Sequence, residues 1–518
     1  MKAEELPDKQ RQLIFWASFL SLMAAGFGFS YRVMNMGTWA SNYDLTGQQA
    51  GAIFGASLWP IAITMILFSL IVDKVGHKLS MYIACVLQIL SVVLSIVAGD
   101  AKLATVAAIC AGLGHGVVEA VINPVCATMF PKNKTKMLNI LHAAWPAGLV
   151  VGGSLVLITQ ARGGSDTLEP AYMLIPVLAF GLLLLPCKFP TDERVQNKVP
   201  YSEMLKEIGF ATAFLAFFLL SYTLVKEVGG LFGKTIADTT LLIIGIVVGL
   251  AVGALFFVKT KSFGKPLYFI LCLLMIPLAT TELGTDAWIK ELMEPTMGEL
   301  AGWALVLSAL IMMGLRFQAG ILTKRFSPPT ILIISSFFSL CGLMALSVAN
   351  GFGFIFLAFA LYAVGQTFYW PTVLGLASER YPRGGALTIN TVSAIGLLAV
   401  GIIGSPIIGS FRGSYTAENV KALSSEVYDA GKTESSFFAY KYDDIKIEDA
   451  STKATELGLD KKFGKATSGA TRKALRTVAI VFPGVMLVSF ALIALFFRAT
   501  GGYKPIELGS TETSGDNA

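Results

Sequence analysis

A chain of 518 residues with 54% hydrophobic residues, 14% charged residues and a mean hydropathy of +0.67 carries more apolar surface than a soluble core of that length can bury. That balance excludes a water-soluble globular enzyme and makes lipid the solvent. The formal net charge of +6 lies largely in short turns between apolar runs, so it reads as a topology signal and not as a nucleic-acid surface.

Apolar runs of about 20 residues, enough to cross roughly 30 Å of hydrocarbon as helices, are predicted near residues 12–36, 49–72, 79–98, 103–130, 138–159 and 171–187. A polar linker follows to about residue 207. Further spans are predicted at 209–225, 238–258, 266–289, 299–322, 330–349, 352–378, 386–410 and 477–498, which makes fourteen transmembrane helices. The stretch 411–475 is charged and has no span-length apolar run, so it reads as a long extracytoplasmic loop or small cap. Residues 499–518 read as a disordered cytoplasmic tail.

The chain also repeats itself at a constant offset of 251 residues (73 to 324, 114 to 365). Asp73-Lys74, Gly114, Phe130-Pro131-Lys132 and Asn139 recur as Lys324-Arg325, Gly365, Tyr381-Pro382-Arg383 and Asn390. A parallel repeat of several membrane helices is the pattern of a transporter built from two half-domains around a central site. The expected fold is an all-α membrane protein: two six-helix bundles, 1–190 and 263–498, in pseudo-twofold relation, with a linker and an inserted two-helix hairpin at 191–262.

Orientation follows from the basic residues. Lys2, Lys9 and Arg11 precede the first span, and Lys74, Lys78, Lys132, Lys134, Lys136, Lys188 and Arg194 fall in alternate loops. Both termini are therefore expected in the cytoplasm, and the protein in the cell's inner membrane. The first span is too long, and too polar near its outer end, for a cleaved signal segment. All six cysteines lie in or at the edge of spans, without disulfide or zinc spacing, and read as small packing residues. Neither a metal site nor a cofactor is expected.

Ionisable side chains at membrane depth cost about 2.5–3.5 kcal/mol on insertion scales and mark function. His115, Glu119 and Asn123 recur every four residues and form one stripe ahead of the helix-loosening Pro124. Desolvation disfavours the charged form of a carboxyl there, which makes Glu119 the first candidate for proton coupling; neutral packing is the alternative. Glu282 and Asp286, also four apart, are further proton-coupling candidates. Arg32 and Asn35 stand at the corresponding place in the first half, where a cation could pair with those acids across a cavity. Asn139, His142 and Trp145 line one face, and Gln366 and Trp370 occupy the repeat positions of His115 and Glu119. Amides beside an aromatic ring suit a sugar, so all of these, with Asn390, are candidate solute-binding residues. Arg316 lies about two turns from a cytoplasmic helix end, where it could reach water or brace the inner gate. Asp73, Lys78, Lys324 and Arg325 are the other gating candidates. Gly47, Gly51 and Gly55, Gly148 and Gly152, and Gly245, Gly249 and Gly253 mark close helix contacts.

Val72-Asp73-Lys74-Val75-Gly76-His77-Lys78 resembles the loop after the second helix of the major facilitator superfamily, without its usual leading glycine. The stretch around Glu119, Asn123 and Pro124 is similar to the fourth-helix segment of the fucose and glucose/galactose proton symporters, as are Leu138-Asn139 and Glu282 with Trp288. Those symporters also use a first-helix carboxylate, whereas this chain reads Tyr31-Arg32-Val33-Met34-Asn35. The resemblance implies a monomeric secondary transporter in contact with membrane lipid, moving a small polar solute, a monosaccharide above all, with protons as the coupling ion. Carriage of an organic anion or nucleoside is the alternative, and a non-transporting membrane sensor a further one. No catalytic residue or enzyme motif is present.

Overall fold

The computed structural model describes residues 5–45, 47–286, 301–437 and 440–508. Trp288 lies outside them. Among the described residues, twelve helices are long and apolar enough to cross a membrane, and two shorter apolar helices, Leu168–Leu184 and Trp303–Phe317, stand where the sixth and tenth spans are expected. Among the described residues each expected span therefore has a helix, twelve of them of full spanning length.

The first half contains α1 (Asp8–Asn42), α2 (Gly47–Gly55), α3 (Trp59–Ser69), α4 (His77–Val97), α5 (Ala101–Met129), α6 (Lys134–His142), α7 (Ala144–Gln160) and α8 (Leu174–Leu184). The inserted hairpin is α9 (Tyr201–Leu231) and α10 (Asp238–Thr260). The second half contains α11 (Pro266–Ala279), α12 (Ala301–Phe317), α13 (Pro328–Val348), α14 (Phe352–Gln366), α15 (Tyr369–Arg380), α16 (Gly385–Ala399) and α17 (Ser405–Leu423); a last helix, α19, follows below.

The repeat is legible in helix ends as well as in residues. Helix α4 maps onto α13 at both ends with the same 251-residue offset, α5 starts where α14 starts, and the single 3-10 turns Pro131–Asn133 and Pro382–Gly384 coincide. Each turn begins on a proline, whose fixed φ suits a first turn and whose missing N–H costs nothing there.

The halves meet along α7 with α12 and along α3 with α16. The hairpin lies outside this contact. Gly245, Gly249 and Gly253 of α10 stack on Phe218, Phe214 and Phe210 of α9, and α9 packs on α16 of the second half. Gly209 breaks α9 at φ 60°, and only glycine fits there, since a Cβ would stand 1.9 Å from the Gly264 nitrogen. Residues 201–208 thus form a separate turn-in before the span expected from 209.

Two regions hold more structure than an irregular loop or tail. The stretch 411–475, expected as a long loop or small cap, is a folded cap: α17 runs on to Leu423, strands β1 (Lys432–Phe437) and β2 (Tyr440–Ile445) pair antiparallel, α18 (Ile447–Glu456) follows, and α19 (Asp460–Ala499) begins well before its apolar part. Val420, Val427, Tyr428, Ile445, Ala450 and Phe463 give it a core of its own. Alternating short apolar residues among many lysines hide that core from a span-length window. The described beginning of the expected tail is docked: Tyr503 OH donates to Glu379 Oε2 at 2.6 Å and the Ile506 N–H donates to the Glu379 carbonyl at 2.8 Å.

Candidate functional site

The stripe on α5 converges on one carboxyl. Asn123 Nδ2 donates to Glu119 Oε2 at 2.6 Å, and His115 Nε2 stands 3.6 Å from Glu119 Oε1. The His115 ring stacks on Trp145 of α7 at 5.2 Å. Asn123 Oδ1 in turn faces His142 Nε2 of α6 at 2.9 Å, so His142 donates and the Asn amide passes the contact on to Glu119. Glu119 is 7% exposed and Asn123 fully buried.

From His142 the network crosses to the other half through one side chain. Arg316 of α12 donates through Nη1 to the His142 carbonyl at 2.9 Å, through Nη2 to Glu282 Oε1 at 3.1 Å and through Nε to the Thr367 carbonyl at 2.7 Å. Glu282 lies in a π turn, Thr280–Gly284, that continues α11. Asp286 accepts from Gln366 Nε2 at 3.3 Å and from Tyr362 OH at 3.4 Å, and Gln366 also donates to Ser308 Oγ at 3.0 Å. One hydrogen-bonded line thus joins Glu119 of α5 to Glu282 after α11, through both halves, with Asp286 held separately beside it. An arginine in this position suits a buried, many-donor role that a lysine could not fill.

Arg316 is 1% exposed, so it does not reach water as one of its two expected placements required. The helix is interrupted after Phe317, and the helices that supply Arg316 with carbonyl partners are interrupted at Ala143 and at Thr367-Phe368. Arg32 and Asn35 are also placed differently. Arg32 lines a crevice inside the first half with Tyr31, Trp39, Tyr43 and Ser95, and Asn35 Nδ2 donates to Glu169 Oε2 at 2.9 Å. Neither pairs with Glu282, whose cationic partner is Arg316. Trp370 is 9% exposed and lies against Gly396.

The two repeat-related asparagines both span the contact between halves. Asn139 Nδ2 donates to Thr372 Oγ1 at 3.3 Å; Asn390 Nδ2 donates to Ser69 Oγ at 2.8 Å and to the Ala120 carbonyl at 3.1 Å. Nearer the termini, Thr135 donates through N and Oγ1 to Glu379 Oε1 at 3.1 and 2.6 Å, and Lys134 Nζ donates to Glu193 Oε2 at 2.7 Å and the Ser378 carbonyl at 3.3 Å. These groups close that end. Of the expected gating residues, Asp73 pairs with Arg194 of the linker, Lys78 donates to the Leu185 carbonyl at 2.8 Å within its own half, and Lys324 and Arg325 sit in the turn before α13.

Sequence reasoning missed Lys134, Thr135, Glu379 and Asp192. Asp192 Oδ1 accepts from the Arg194 N–H at 2.8 Å in the linker. Burial, and then the nearby Asp73 charge, push its carboxyl up to about 7.

A family model described as the Major Facilitator Superfamily matches residues 18–290, more than half of the chain. The protein belongs to the major facilitator superfamily. Its fold is similar to that of solved superfamily transporters. One is the proton:xylose symporter XylE bound to 6-bromo-6-deoxy-D-glucose, with TM-score 0.59 and 16% identity over 93% of this chain and 97% of that one. Another is the E. coli fucose:proton symporter FucP, with TM-score 0.55 and 13% identity over 92% and 98%. The human organic anion transporter MFSD10 gives TM-score 0.57 and 12% identity over 94% and 100%. At these identities the likeness is one of fold. No curated protein sequence matches. As a superfamily member the protein is an integral membrane transporter for a small solute and not an enzyme.

Proposed function

We propose that this superfamily transporter is a proton-coupled carrier of a monosaccharide or related polyhydroxylated solute, working by alternating access, with both termini in the cytoplasm of a cell whose inner membrane it spans. The observation that carries the reading is the line from Glu119 through Asn123, His142 and Arg316 to Glu282. A buried carboxyl within reach of two imidazoles exchanges a proton at little reorganisation cost, and its charge is felt at the contact that must break for the halves to part. Glu119 carries the coupling proton. Glu282 and Asp286, in place of the first-helix carboxylate of the sugar symporters, hold or release Arg316.

Solute recognition falls to His115, Trp145 and Gln366 beside that line, where a ring and amide or imidazole groups can take an apolar sugar face and its hydroxyls. The similarity to a xylose and a fucose symporter supports the same class. An organic anion is the weaker reading, because the Arg316 charge already meets Glu282 and the Arg32 side chain lies off the line.

The test is uptake into proteoliposomes under an imposed proton gradient, wild type against Glu119→Gln. Loss of gradient-driven accumulation with retained solute exchange is expected; gradient-driven accumulation at the wild-type level in the variant overturns the assignment.

A further inference from the structure

Three buried backbone carbonyls in the central region lack their helical donor for the same reason. In an α-helix the carbonyl of residue i accepts from the N–H of residue i+4, and proline has none. Pro124 therefore orphans the Ala120 carbonyl, Pro146 that of His142, and Pro371 that of Thr367. An unmet carbonyl buried in a membrane protein costs free energy until something donates to it. Each of the three receives a side-chain donor: Asn390 Nδ2 to Ala120 at 3.1 Å, Arg316 Nη1 to His142 at 2.9 Å, and Arg316 Nε to Thr367 at 2.7 Å.

The distribution between halves is what matters. Ala120 and His142 belong to the first half, and the side chains that serve them, Asn390 and Arg316, to the second. Thr367 is in the same half as Arg316, so its carbonyl fixes the guanidinium at home while Nη1 reaches across. The repeat partners of Pro124 and Pro146 are Gly375 and Leu397, which place no such acceptor in the second half. Among the described residues one such acceptor runs the other way, since Pro382 likewise has no N–H for the Ser378 carbonyl of the second half, which Lys134 Nζ of the first half serves at 3.3 Å.

We infer that Pro124 and Pro146 create two of the acceptors by which the halves are fastened in this conformation, with Asn390 and Arg316 as the positioning residues that catch them and Pro371 as the residue that aims Arg316. Such bonds suit a contact that opens and closes. When the halves separate, water can take the place of either donor on the freed carbonyl, so opening leaves no acceptor permanently unmet. The Asn390 bond has no titrating member, which lets this fastening persist whatever the protonation of Glu119. The inference needs the superfamily fold alone and is independent of the solute and of proton coupling.

The experiment measures the distance between spin labels on Lys74→Cys and Phe326→Cys, in matching exposed turns of the two halves, in a full-length protein whose native cysteines are replaced, in nanodiscs without solute. Pro124→Ala and Pro146→Ala each restore an N–H, let the helix reclaim its carbonyl and lower the ratio of closed to open molecules about two- to tenfold, the range of one hydrogen bond. Asn390→Ala also lowers it and, because it gives up the Ser69 Oγ bond as well, adds less on top of Pro124→Ala than it does alone; Arg316→Lys, which also disturbs the Thr367 and Glu282 bonds, behaves likewise with Pro146→Ala. Such non-additivity in either cycle supports the inference. Additive effects in a measurable cycle overturn it. Should the Asn390 or Arg316 variants not fold, the alanine variants decide alone, since alanine completes a helix: unchanged distance distributions in both also overturn it.

Discussion

Arg316 and Glu282 form a buried ion pair, Nη2 to Oε1 at 3.1 Å, in which neither side chain is more than 6% exposed. Removing one member of such a pair strands the other charge. Arg316→Gln is therefore expected to destabilise the folded protein by about 3–5 kcal/mol. Glu282→Gln in the same chain should return part of that loss. Thermal unfolding in detergent measures both; a double variant no more stable than Arg316→Gln alone would show that the pair is not what holds this site.

The Asp192 carboxyl gives stability a pH dependence of definite sign. Its folded value, about 7, lies above that of an unfolded aspartate because burial comes first and the Asp73 charge adds to it. Between the ordinary aspartate range and pH 7 the unfolded chain binds fewer protons at this residue, so stability falls as pH rises through that window and levels off above it. Asp192→Asn keeps an acceptor for the Arg194 N–H and removes the decline. The melting temperature of wild type minus that of the variant, measured from pH 4.5 to 7.5, should drop steadily; a flat difference refutes the assignment.

Two glycines with the same sequence spacing differ in what surrounds them. A Cβ at Gly148 would stand 2.2 Å from the Met23 carbonyl oxygen and 2.6 Å from the Phe27 nitrogen, whereas one at Gly51 meets nothing within 4 Å. Gly148→Ala should cost about 1–3 kcal/mol by forcing α7 off α1. Gly51→Ala should be tolerated. Equal melting temperatures for the two variants would contradict this packing.

That contrast shows where sequence reading stops. A strict repeat with proline-started turns carries helix ends across 251 residues, because each half obeys the same local rules. Glu119, Asn123 and His142 come together because helical spacing and one short connection suffice. The partners of Arg316 were not legible: its depth, read by counting from a helix end, ignored the breaks at Ala143 and Thr367 that carry neighbouring carbonyls to it. Arg32 was misplaced for a related reason, since equal position in the two halves says nothing about which face of α1 points inward. The prolines are plain in the sequence, but which side chain meets the carbonyl four residues before each is set by packing between distant helices.

Glu379 uses both carboxylate oxygens, Oε1 for Thr135 in the first half and Oε2 for Tyr503 beyond α19. Tyr503→Phe removes the second bond. The Thr135 amide, which also donates to Oε1 at 3.1 Å, should then exchange its hydrogen about two- to tenfold faster, the effect of losing one hydrogen bond. Exchange mass spectrometry over residues 130–140 reads this directly, and an unaltered rate would separate the docked segment from the contact it touches.

The π turn at Thr280–Gly284 gives Glu282 a second consequence. Such a turn holds one surplus amino acid compared with the coils on either side, and the surplus can migrate along the axis without any net change in the number of main-chain bonds. Each step swivels the residues it passes by about 100°. A carboxylate mounted on that defect can turn away from its arginine through a sliding dislocation, with no rigid-body tilt of the whole rod.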